Sequence, residues 1–201
     1  MDIQPLLDQI KKIEHGFKHI IEAGDKILSS QNVKHFDVAM QFLSDETYQV
    51  RMLGTYMLGV LAAGDPDALK ILETQVSQDQ NWRVQEMLAK AFDYYCQTTG
   101  YEKSLQVIEH WLAGKNANVK RAVIEGLRIW TNRPFFKTNP AMAIKLISQH
   151  KADPSEYLRK SVGNALRDIG KKHLALISSE TADWDLRDTK IRFTYKLVIK
   201  D

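Results

Sequence analysis

Cysteine is nearly absent. Cys96 is the single one in 201 residues, which excludes an internal disulfide framework and suits a reducing cytoplasm. Apolar runs are short, far below the span of a bilayer, so no transmembrane helix is expected. The opening Met-Asp-Ile-Gln-Pro-Leu-Leu-Asp has acid where a secretory signal carries base, and it lacks a long apolar centre. A Gly-rich phosphate loop is missing, which argues against nucleoside triphosphate chemistry. His15 and His19 stand at i,i+4, but Gly16 follows where a zincin motif has Glu, and no third ligand is evident. Both histidines read as surface residues, and neither a metal nor another cofactor is implied. Cys96 has no activating base beside it in Asp93-Tyr94-Tyr95-Cys96, so packing is its better role.

What remains is an ordinary soluble composition, 44% hydrophobic and 26% charged, long enough for one domain over residues 1–201. The charge, however, is segregated. From Lys115 onward there are eighteen Lys and Arg against nine Asp and Glu; the totals of 28 and 25 leave ten against sixteen before it. The net charge of +3 therefore hides a basic C-terminal part near +9, which suits a polyanionic partner.

Helical spacing dominates. Leu6, Leu7, Ile10, Ile13, Phe17, Ile20 and Ile21 form one stripe from Pro5 to about Ser30, with Gly24 as a candidate break. A second helix is expected over 35–42, with Ser44-Asp45 as the cap of the next. From there the chain repeats. Segments starting at Val50, Val84, Val119 and Leu158 align without gaps, 34, 35 and 39 residues apart, the period of helical-pair repeats. Partner helices fall at 67–76, 101–112 and 141–150, separated by turns such as Gly64-Asp65-Pro66, Gly100, Pro140 and Asp153-Pro154. The expected fold is all-α: a curved solenoid of HEAT-like helical repeats, an α-α superhelix. Residues 191–199 alternate like a strand, but an all-α stack needs a cap, so a closing helix is expected there.

Within each repeat, positions 0, +3, +4, +7 and +8 are apolar or small and must face the core. Positions +2, +6 and +9 share the opposite face. They hold Met52, Tyr56 and Gly59, then Glu86, Lys90 and Asp93, then Arg121, Glu125 and Arg128, then Lys160, Asn164 and Arg167. Position +1 adds Lys120 and Arg159, and +10 adds Asp168. The basic stretch 118–172, which also contains Arg133, is thus expected to line one face and hold phosphates. Salt-bridged pairs within that face, Glu86–Lys90 and Arg121–Glu125, are expected as well. Trp82 and Glu86 stand four apart, which suits either an indole and anion embracing a cation, or a Trp capping the core beside an exposed Glu. Trp130, followed by Asn132-Arg133-Pro134-Phe135-Phe136, is either stacking surface or core.

Segments 81–92, 118–130 and 155–169 resemble the AlkC/AlkD-type DNA alkylation repair proteins, the likeness covering roughly residues 45–184. Its last part, Lys160-Ser161-Val162-Gly163-Asn164-Ala165-Leu166-Arg167-Asp168, combines features of both branches. The resemblance implies a HEAT-like solenoid holding duplex DNA in a basic groove, and a monofunctional glycosylase removing N3- and N7-alkylated purines without metal or cofactor. It implies that Trp82 and Glu86 face the lesion with Arg121 near them. A second Trp of the AlkD type falls at Asn164, so that half of an aromatic cage is absent, while Asn164 and Asp168 match the AlkC type. The working carboxylate is then Glu86 or Asp168. The expected chemistry is hydrolysis of the N-glycosidic bond, with a carboxylate stabilising the oxocarbenium sugar. The expected partner is double-stranded DNA containing alkylated bases, bound by a monomeric cytoplasmic protein with no membrane contact. Non-catalytic binding of damaged or branched DNA and a protein–protein scaffold are the alternative classes.

Overall fold

Five of the helices begin where short polar side chains can take the first free N–H groups. Asp65 accepts from the amide of Asp67, Asn81 from Arg83, Asn116 from Asn118 and Val119, Ser155 from Leu158, and Asp188 from Lys190 and Ile191. The computed structural model describes residues 2–200, and among them every regular element is helical. In chain order these are α1 (Gln4–Lys11), α2 (Lys18–Leu28), α3 (His35–Leu43), α4 (Tyr48–Leu61), α5 (Pro66–Thr74), α6 (Trp82–Thr99), α7 (Leu105–Ala113), α8 (Ala117–Trp130), α9 (Pro140–Ser148), α10 (Glu156–Thr181) and α11 (Thr189–Val198). Short 3-10 turns follow α5 and α8. No helix among the described residues is long and apolar enough to cross a membrane.

The chain clusters into two compact units, residues 1–99 and 100–201. In the first, α4 is central and packs against α1, α2, α3, α5 and α6. In the second, α10 packs against α8, α9 and α11. HEAT-like helix pairs build both.

The repeat frame predicts the core well. Val50, Leu53, Met57, Leu58, Val84, Met87, Leu88, Ala91, Phe92, Val119, Val123, Leu127, Leu158, Val162, Ala165 and Leu166 are all buried. The face opposite the core fails in the first repeat, where Met52 and Tyr56 are buried too. The reason is that α4 is packed on every side, and Gly59 lets α6 come close: a Cβ there would stand 2.5 Å from that of Ala91. Trp130 is core, stacked on Phe136 with 5.7 Å between ring centroids and tilted against Tyr101 at 5.1 Å. Cys96 is buried, as expected of a packing residue.

Two local expectations change, and two features of the C-terminal helices stand out. The break in the N-terminal stripe is at Gly16, whose φ of 92° favours glycine, while Gly24 lies inside α2. Asp45 accepts from the Thr47 amide ahead of α4, but Thr47 rather than Ser44 or Asp45 is the N-cap residue. α10 runs on to Thr181 with a non-helical backbone at His173 (φ −130°, ψ 42°). Residues 189–198 form the closing helix α11, whose buried Thr194 donates to the Lys151 carbonyl at 2.7 Å.

Candidate nucleic-acid interface

Position +1 of the repeat has one structural task in all four repeats. Arg51 donates to the carbonyls of Asp45 and Glu46 and grips the Asp79 carboxylate at 2.6 Å. Gln85 donates to the carbonyls of Val76 and Asp79. In the second unit, Lys120 grips the Asp153 carboxylate at 2.9 Å, and Arg159 donates to the carbonyls of Asp153 and Pro154 at 2.6 and 3.1 Å. The scheme is the same twice: one residue holds the aspartate side chain of an inter-helix turn, and its counterpart on the next helix holds that turn's backbone. Lys120 and Arg159, expected among the phosphate-binding cations, are thus engaged in the fold, and Arg159 is only 8% exposed.

Asp153 is correspondingly stabilised as an anion. Burial pushes its carboxyl up, but the Lys120 hydrogen bond, the Ser155 amide, and the charges of Lys120 and His150 together outweigh burial and hold it below the usual range. His150 responds in the same direction, lowered by burial and by Lys120 against the opposing pull of Asp153.

A second set of charges does form a line along α8 and α10. The Arg121 guanidinium lies 4.9 Å from the centroid of the Tyr157 ring and 3.9 Å from the Glu125 carboxylate. Glu125 holds Arg128 at 3.0 Å; Arg128 reaches Asp168 at 3.5 Å; Asp168 holds Lys171 at 2.8 Å. The +2, +6 and +9 positions of α8 therefore meet the +10 position of α10, as the repeat frame predicts. Asn164 and Arg167 are half-buried on α10 beside this line, and Lys160 forms an exposed pair with Glu156 at 2.9 Å. Arg133 stands apart: it donates to the Tyr101 hydroxyl, at the edge of the Trp130 cluster. The Lys171 hydrogen bond lowers the Asp168 carboxyl despite burial, helped by Arg128 and Arg167, so Asp168 is an anion with its charge compensated.

In the first unit Trp82, 52% exposed, opens α6, and the half-buried Glu86 follows one turn later. The face of the indole is occupied. The Arg83 guanidinium carbon lies 4.3 Å from the Trp82 centroid and 5.1 Å from that of Tyr48, and a terminal nitrogen is 3.2 Å from His15 Nδ1. The anticipated Glu86–Lys90 pair is replaced: the Lys90 ammonium sits 4.6 Å above the Phe17 ring. Arg83 and Tyr157 were not legible as site residues. Neighbours at i+1 on a helix point about 100° apart, so only the long side chain of Arg83 brings it over Trp82, and Tyr157 meets Arg121 only through the packing of α10 on α8.

A family model described as DNA alkylation repair enzyme matches residues 17–179. The chain is similar over 98% of its length to the crystal structure of AlkD2 from Streptococcus mutans, at 44% identity and a TM-score of 0.93, with 96% of that chain covered. Alkylpurine DNA glycosylase AlkC from Pseudomonas fluorescens, solved bound to DNA containing an abasic site analogue, shares the fold at 18% identity and a TM-score of 0.53. There 98% of this chain and 62% of that one are covered. YhaZ of Bacillus subtilis is 31% identical over 107 residues, which span 49% of this chain but only 30% of YhaZ.

Proposed function

This chain belongs to the family of DNA alkylation repair enzymes, and on that premise we propose that it engages duplex DNA carrying alkylated bases, as a binder rather than a base-excising enzyme. Phosphates would be taken by the cations of the second unit that are not committed to turns, namely Arg121, Arg128, Lys160 and Arg167, with Asn164 beside them. Such contacts release counterions and fix position without reading sequence.

The observation that carries the non-excising half is the state of the two elements that excision needs. A glycosylase acting on a cationic purine needs an aromatic face to receive it and a carboxylate whose charge develops its full effect on the oxocarbenium sugar. Here Arg83 already covers Trp82, a like charge that an alkylated purine must displace. Asp168 already faces Arg128 and Lys171. Glu86, free of the Lys90 pairing, is the feature that favours the second reading, an alkylpurine glycosylase hydrolysing the N-glycosidic bond.

One assay separates them. Methylated duplex DNA is incubated with the protein, and binding and release of 7-methylguanine are followed together. Salt-sensitive binding without release is the expected result. Release that is lost in Glu86→Gln or Asp168→Asn while binding survives would establish the glycosylase and name its carboxylate. Absence of binding at low salt would remove both readings and leave a protein-binding scaffold.

A further inference from the structure

The longest helix is interrupted at His173, and the interruption leaves apolar side chains without cover. Leu174, the next residue, is 70% exposed, and Ile199, just past α11, is 58% exposed. Between them runs an open groove of about 670 Å³ floored by Leu174, Ile177 and Ile199, with Arg167, Lys171 and Lys200 on its rim. Gly170 also lines it, keeping that part of the wall low. Among the described residues, no carboxylate lines it. Asp168, on the same helix as Arg167 and Lys171, is turned to Arg128 and Lys171.

This combination is selective about its occupant. A contiguous exposed apolar floor is a binding feature rather than ordinary surface. Phosphates of a duplex would gain nothing from isoleucine and leucine at the bottom of the groove. A basic or neutral peptide would bring no anion to the rim cations, of which only Lys171 is held by a carboxylate of its own helix, Asp168. We propose that the groove is a docking site for an acidic peptide segment of a partner protein, one that inserts one or two large aliphatic or aromatic side chains between flanking Asp or Glu. Its apolar anchors would cover Leu174 and Ile199, and its carboxylates would meet Arg167, Lys171 and Lys200. Anchors in an apolar pocket supply most of the affinity of such contacts, and rim charges supply orientation and rate. The site is independent of whether the chain excises bases.

The test is selection of random displayed dodecapeptides on the full-length chain, followed by titration of the best synthetic peptide into isotopically labelled protein. Enriched peptides with several acids around Leu, Ile, Phe or Trp are expected, with amide shifts concentrated at residues 167–177 and 198–200. Leu174→Glu and Lys200→Glu alter exposed side chains that the core does not use, so both variants should keep the wild-type spectrum elsewhere. Each is expected to weaken the peptide about tenfold or more, as loss of an anchor or of an oriented charge does. Selection of basic or purely apolar peptides, shifts centred elsewhere, or undiminished binding by Leu174→Glu would overturn the proposal. So would displacement of the peptide by vesicles of anionic phospholipid, which would reassign the groove.

Discussion

Arg159 is the residue at which charge and structure separate most clearly. One guanidinium nitrogen, Nη1, donates to two turn carbonyls while the stem is buried against the fold. Arg159→Lys keeps the charge but is shorter and lacks the planar guanidinium that places Nη1 between the two carbonyls, and it should cost about 1–2 kcal/mol in urea denaturation. A phosphate-binding arginine would behave oppositely, losing DNA affinity with stability unchanged. Gly126 makes a second test. A Cβ there would stand 2.8 Å from Cε2 of Trp130, whose ring is held between Tyr101 and Phe136. Gly126→Ala gains helix propensity, yet overpacking should win and destabilise by about 1–3 kcal/mol, read as a lower thermal midpoint. At Trp82, replacing Arg83 by Ala uncovers the indole. Indole fluorescence should then become more accessible to acrylamide, and affinity for an N7-methylated base should rise relative to wild type.

At the scale of elements, the turns joining helices are where pH acts. Asp153 has a folded pKa below its unfolded one, so it stabilises the fold above the ordinary carboxylate range, and that contribution is lost as pH falls through the folded value. His150 is also lowered, and since its charged form is disfavoured in the fold, its contribution is complete above about pH 6.5 and is lost on acidification. The two effects add in sign. Stability of the second unit should therefore decline from near neutrality downward, earlier than carboxylates alone would bring. His150→Gln should remove the upper limb of the decline and leave the lower one, a difference visible in denaturation midpoints measured across pH 4–8.

For the whole molecule, the segregated charge governs association. Binding driven by a few arginines and lysines of the second unit should weaken with salt, with a log–log slope of about −3 if three phosphates are neutralised. Arg167→Gln and Lys160→Gln should each reduce the slope by about one unit, whereas Lys120→Gln should lower stability before it alters the slope. Titration of duplex DNA by fluorescence anisotropy at several salt concentrations distinguishes these outcomes.

Much of this architecture was determined by the sequence alone. Four segments at a common period, with aliphatic or small residues at the same five positions, specify helix pairs and name the buried side chains, because burial tolerates few residue types and therefore leaves a pattern. The family likeness, too, lies in those segments. Tertiary structure alone decided the fate of the charged residues. A lysine or arginine at a given helical position can reach solvent, a neighbouring carboxylate or the carbonyls of a turn without any change in its local pattern. Thus Lys120 and Arg159 turned to Asp153 and its loop, Lys90 to Phe17 rather than Glu86, and Arg83 to the face of Trp82. Long flexible side chains are placed by what packs beside them, and only the folded chain holds that information.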